Sequence, residues 1–110
     1  MTEHPSRELP VRRPLARAPT HPGELFREII EEHLRLPISE AASRMGISRQ
    51  SLHAVLSGQT TVTAEMALRF ARLGGGAAEL YLQMQARRDL WLAEQRLGDA
   101  LAAIEPAVAN

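Results

Sequence analysis

Apolar positions recur at helical spacing in five blocks along the chain, separated by residues that start and stop helices. From Pro22 onward, Leu25, Phe26, Ile29, Ile30 and His33 or Leu34 fall three and four apart, with Glu24 in the first turn where the helix dipole favours an acid. That pattern predicts a first helix over about 22–34. Pro37 opens a second helix, over about 38–45, with Ala41, Ala42 and Met45 on its buried face, and Gly46 stops it. Ser48 is an N-cap for a third helix that carries Leu52, Val55 and Leu56 to Gly58. Thr63 caps a fourth, with Glu65 in its first turn and Met66, Ala67, Phe70, Ala71 and Leu73 facing inward, until Gly74, Gly75 and Gly76 break the chain. A fifth runs from about Ala77 through Trp91, and its apolar stripe extends to Ile104 before Pro106.

Upstream, Pro5, Pro10, Pro14 and Pro19 interrupt a stretch with few large apolar residues, which reads as an extended N-terminal arm over 1–20. The organisation expected is therefore an arm (1–20), one all-α domain of five helices (21–105) and a short tail (106–110). At 110 residues there is room for one core. A hydrophobic share of 45% against only 4% aromatic residues, much of it Ala and Leu, suits packed helices better than a sheet.

The second and third helices form a recognisable unit. Two short helices joined by a tight glycine-containing turn are the arrangement that sets a second helix in the DNA major groove. Ala42 is small where the helices cross, Gly46 makes the turn, and Met45 and Ile47 fill the space beneath it. Leu52 and Val55 bury one side of the third helix and leave Arg49, Gln50, Ser51, His53, Ala54 and Ser57 on the other. Between Ala41 and Leu56 there are two arginines and no acid, although the whole chain has zero formal net charge. Arg49 and Gln50 are the residue types that match the major-groove edges of guanine and adenine, and Ala54 can pack near a thymine methyl. Ser48, Ser51, His53, Ser57 and, on the second helix, Arg44 are expected to touch phosphates, which set position without reading sequence.

Other chemistries find little footing. The chain has no cysteine, and His4, His21, His33 and His53 are scattered without metal-ligand spacing, so neither a metal nor a cofactor is expected. Ser48 and His53 do not face each other on a helix and no orienting carboxylate follows, which argues against nucleophilic catalysis; the expectation is a protein without enzymatic activity. Glu24, Glu28, Glu31 and Glu32 read as a solvated helix face. No apolar run approaches the ~18 residues needed to span a bilayer, and the polar first ten residues lack a secretory h-region, so the cytoplasm is the expected compartment.

Four blocks of sequence carry a wider likeness. His21-Pro22-Gly23-Glu24, Gly46-Ile47-Ser48-Arg49-Gln50-Ser51-Leu52, Val62-Thr63-Ala64-Glu65-Met66-Ala67-Leu68-Arg69, and Leu80-Tyr81-Leu82-Gln83-Met84-Gln85 with Asp89-Leu90-Trp91 resemble the HigA-type antitoxins of the Xre/lambda-repressor-like group, over about two-thirds of the chain. Arg88 stands where that family often has Tyr, and the proline-rich arm is longer than the family pattern. The resemblance implies an antitoxin that represses its own operon as a dimer on operator DNA, with a HigB-like, mRNA-cleaving toxin as partner. The residues alone also admit a stand-alone repressor, or an adaptor that has lost DNA binding.

Helix 5 carries Leu80, Met84 and Trp91, then Leu97, Leu101 and Ile104, a stripe longer than one small core needs. A homodimer through it would set two recognition helices about 34–36 Å apart. By exclusion, the arm and the outer face of the first helix are the surface expected to meet a toxin.

Overall fold

The computed structural model describes residues 17–108; most of the arm read at 1–20 lies outside the described residues, as do the last two residues of the tail. All regular structure among the described residues is helical, in the order α1 (Pro22–Glu28), a π-helical continuation (Ile29–Leu34), α2 (Ile38–Met45), α3 (Arg49–Leu56), α4 (Ala64–Gly74), α5 (Ala78–Leu97) and α6 (Asp99–Ala102). The all-α, helix-turn-helix architecture expected from the pattern is the one the chain adopts.

Local signals set most of these boundaries. The Ser48 and Thr63 side chains accept hydrogen bonds from the backbone of Ser51 and Met66, as N-caps do. Gly46 ends α2 at φ 74°, ψ 29°, a left-handed conformation that glycine enters without strain. The first helix departs from regular geometry. Its second half widens to π spacing and stops at Arg35, a non-glycine residue at φ 54°, with the amides of both Arg35 and Leu36 turned onto the Ile30 carbonyl. The widened turn leaves Ile30 fully buried, Ile29 and Leu34 half-buried, and His33 exposed.

The fifth helix is shorter than its apolar stripe. Gly98, at φ 47° and ψ −119°, closes on the Glu94 carbonyl and turns the chain, so Leu101 and Ile104 are not on the same helix as Leu80 and Met84. Leu97, Leu101 and Ile104 are exposed.

The core forms where α1, α4 and α5 meet. Phe26 and Phe70 stack with ring centroids 3.8 Å apart, and Tyr81 meets both rings edge-on at 4.9 and 5.5 Å. Aromatic side chains of this size bury about 150–250 Å² each and dominate a small core. Tyr81 keeps its hydroxyl satisfied by donating to the Gly75 carbonyl at 2.7 Å, and burial pushes its phenol up from the ordinary 10.0. Ala41, Ala42, Met45, Leu52, Val55 and Leu56 extend the buried cluster under α2 and α3. At Gly23 the backbone of α1 lies flush against the Val55 carbonyl, leaving no room for a Cβ. Helix α3 is therefore seated directly on α1.

Candidate nucleic-acid interface

Helices α2 and α3 are joined by three residues, Gly46, Ile47 and Ser48, and the turn is hydrogen-bonded at each step. The amides of Gly46 and Ile47 return to Ser43 and Ala42 of α2. Ser48 Oγ accepts from the Ser51 amide at 3.0 Å and donates to Ser51 Oγ at 2.9 Å. Helix α3 then buries Leu52, Val55 and Leu56 and presents Arg49, Gln50, Ser51, His53 and Ser57 to solvent, with Ala54 half-buried between them.

These outward residues form two grooves on either side of one crest. Arg49, Gln50, His53, Ala54, Ser57 and Gln59 line an open groove of about 640 Å³. A second, of about 480 Å³, runs along the other flank between Gln50, Ser51 and Ala54 and the loop residues Thr60, Thr61 and Thr63. Gln50 and Ala54, one turn apart, border both and so mark the crest of the helix. Among the described residues, no carboxylate lines either groove. Among the described residues the Arg49 guanidinium is held by no ion pair, whereas Arg27, Arg44 and Arg69 each pair with a glutamate one turn away on their own helix. A convex helix edge with an unengaged cation and amide, flanked by hydroxyls and free of negative charge, has the chemistry to enter a major groove between phosphates.

Of the residues singled out in the sequence, Ser48, Arg49, Gln50, Ser51, His53, Ala54 and Ser57 are brought together on α3 and at its cap. Arg44 is not with them. It bonds to Glu40 at 2.7 Å and lines a different groove, between α2 and α4, with Leu68, Arg69 and Arg72. Ser57 turns its hydroxyl back to the Ala54 carbonyl at 3.3 Å. Leu80 is exposed on α5, and Met84 and Trp91 are half-buried there. The buried edge of that helix is Tyr81 and Gln85 instead.

Several supporting residues escaped the sequence reading. Gln59 completes the first groove from the loop after α3. Arg69, from α4, donates to the Met45 carbonyl at 2.6 Å and so caps α2 at the turn, while Glu65 holds its guanidinium from one turn back. Gln85 accepts from the Val62 amide at 2.8 Å and donates to Asp89 at 2.9 Å, fixing the far end of the α3–α4 loop. A glutamine four residues after Tyr81, on the same helix edge, was the available hint; its partner 23 residues upstream was not visible. Among the described residues there is no cluster of His, Asp or Glu able to hold a metal, and no helix long and apolar enough to cross a membrane.

No protein-family model matches the chain. It is 32% identical over 96 residues to an HTH-type transcriptional regulator of Haemophilus influenzae, spanning 86% of this chain and 90% of that protein. Among solved structures it resembles the antitoxin GraA in complex with its operator (TM-score 0.76, 28% identity, 90% of this chain and 99% of that one). It also resembles an addiction-module antidote protein of the HigA family from Coxiella burnetii (TM-score 0.74, 27% identity, 82% and 99%). With that identity and coverage, the chain belongs to the HTH-type transcriptional regulators, and its structural neighbours include HigA-family antitoxins.

Proposed function

We propose that this chain is the antitoxin of a type II toxin–antitoxin pair, which represses its own operon by sequence-specific DNA binding and neutralises a HigB-like, mRNA-cleaving toxin. The observation that carries the DNA-binding half is the acid-free outer edge of α3, with Arg49 in no ion pair among the described residues and Gln50 and Ala54 along its crest. In this reading Arg49 spans the two acceptors of a guanine and Gln50 the donor–acceptor edge of an adenine, while Ala54 packs on a thymine methyl. The Ser48 hydroxyl is engaged as a cap, so its contribution is to aim the free amides of the α3 N-terminus at a phosphate. Ser51, His53, Ser57 and Arg44 add phosphate contacts. The GraA–operator complex supports this use of the fold.

The active unit is a homodimer built through α5, with Leu80, Met84 and Trp91 in the interface, and the exposure of Leu80, Leu90 and Leu97 along that helix supports it. The toxin is met by the N-terminal arm and the outer face of the first helix, where Glu24, Glu28, Glu31 and Glu32 are all exposed and suit a basic partner. The experiment is co-expression with the product of the adjacent gene. Co-purification and rescue of growth, together with a salt-dependent shift of the upstream DNA, are expected. The Haemophilus influenzae relative, named as a transcriptional regulator, favours a second reading, a repressor without a toxin. DNA binding with no co-purifying partner would select it.

A further inference from the structure

His21 is a buried titratable side chain outside the interface that operator binding would use; it is only 4% exposed. It stands at the N-cap of α1, where its Nδ1 accepts from the Gly23 amide at 2.8 Å. Its other nitrogen reaches away from α1. Nε2 donates to the carbonyl of Thr60 at 2.9 Å, across 39 residues of sequence. The two bonds together require the proton on Nε2 and a bare Nδ1.

Thr60 belongs to the loop that walls the second groove beside α3. That loop has no regular structure of its own, and a few bonds hold it. The amides of Gln59 and Thr60 point back to the Ala54 carbonyl, the Val62 amide is taken by Gln85, and the Thr60 carbonyl is taken by His21. The segment that delivers His21 is itself pinned, because Arg88 donates to the Pro19 carbonyl at 2.8 Å. Arg88 thereby anchors the entry to the domain.

We infer that His21 is a positioning residue for operator reading, a strut that fixes Gln59 and Thr60 against the crest of α3. The inference rests on the operator-binding function proposed above. Capping α1 and bracing the loop use different nitrogens of one ring, so they separate by substitution. Asparagine is a strong N-cap whose side-chain oxygen can replace Nδ1, but it is too short to reach Thr60.

The test compares His21→Asn, His21→Ala and the unaltered chain, all full length, on a duplex of the DNA immediately upstream of the coding sequence. Folding is followed by thermal unfolding, binding by anisotropy at several salt concentrations, and the loop by amide hydrogen exchange. His21→Asn should lower Tm by about 4–8 °C, the cost of one buried hydrogen bond and less than in His21→Ala, while amides of Gln59 and Thr60 exchange faster. Its affinity for the duplex should fall about five- to tenfold, because the loosened loop must be ordered on binding, with the salt dependence unchanged because no phosphate contact is lost. His21→Ala should lose both Tm and affinity. Parental exchange at Gln59 and Thr60, or parental affinity in a folded His21→Asn, would reduce His21 to a helix cap and overturn the inference. If the parent itself ignores the upstream duplex, the operator-binding function fails instead, and the exchange rates still decide whether the strut exists.

Discussion

Replacing Gly23 by alanine sets two effects of opposite sign against each other. Alanine is favoured over glycine within a helix by about 1 kcal/mol, and Gly23 lies in the first turn of α1, so propensity alone forecasts a gain in stability. The packing forecasts a loss. A Cβ at this position would overlap the Val55 carbonyl and come within 3.0 Å of His21 Nδ1. The carbonyl cannot swing aside freely, because it also accepts from the Gly58 amide at 3.0 Å. Relief therefore requires α1 to back away from α3, against the buried contacts of Phe26 and Val55. Overpacking of this kind costs about 1–3 kcal/mol, and the propensity gain is reduced at a helix N-terminus, so a net loss of about 1–2 kcal/mol is expected. For a domain of this size that corresponds to a fall in Tm of about 5–15 °C. The assay is thermal unfolding by far-UV circular dichroism at matched protein concentration, since self-association would otherwise shift the midpoint. A Tm equal to or above that of the parent would refute the close approach of α1 and α3 on which the orientation of the recognition helix depends.

Three further outcomes follow from the same structure. Tyr81 holds its proton more tightly when folded than unfolded, so its contribution to stability is intact below its ordinary 10.0 and declines as the pH rises beyond it. Tyr81→Phe should remove that alkaline decline and cost about 1 kcal/mol at neutral pH through the lost bond to Gly75, measured by urea unfolding across pH; an unaltered alkaline slope would contradict this. Arg44→Ala should weaken binding to every DNA sequence alike and lower the salt slope by about one, and a change in base preference would show that Arg44 reads sequence. Sedimentation equilibrium at micromolar concentration should reveal a dimer of the 12.1 kDa chain, weakened by Leu80→Glu; a monomer throughout would remove the proposed two-fold assembly.

The helix-turn-helix was legible because its determinants are local. Pro37, Gly46, Ser48 and Thr63 each act within four residues, and the observed ends of α2, α3 and α4 follow them. The first helix was legible in extent but not in form. Its π-helical half depends on Arg35 taking a left-handed conformation and on Ile30 accepting two amides, neither of which alters the apolar spacing. The end of α5 was obscured for the reverse reason, since the stripe runs on to Ile104 while the backbone turns at Gly98. At the site, the outward face of α3 could be read from period alone, but the residues that aim it could not. Arg69 reaches Met45, Gln85 reaches Val62 and His21 reaches Thr60 over 24, 23 and 39 residues, and such partners emerge only once the helices are packed.

The central claim is that α3 reads DNA through its first turn, and base-resolved binding of Arg49→Ala and Gln50→Ala tests it most directly. Each variant would be titrated by fluorescence anisotropy against the upstream duplex and a set of single-base-pair changes in each half-site. Arg49→Ala should cost about 1–3 kcal/mol on the parent duplex and become indifferent to one guanine position per half-site. Gln50→Ala should do the same at one adenine position. If both variants keep the parent's affinity and its full base preference, α3 is not the reading helix and the proposed function loses its foundation.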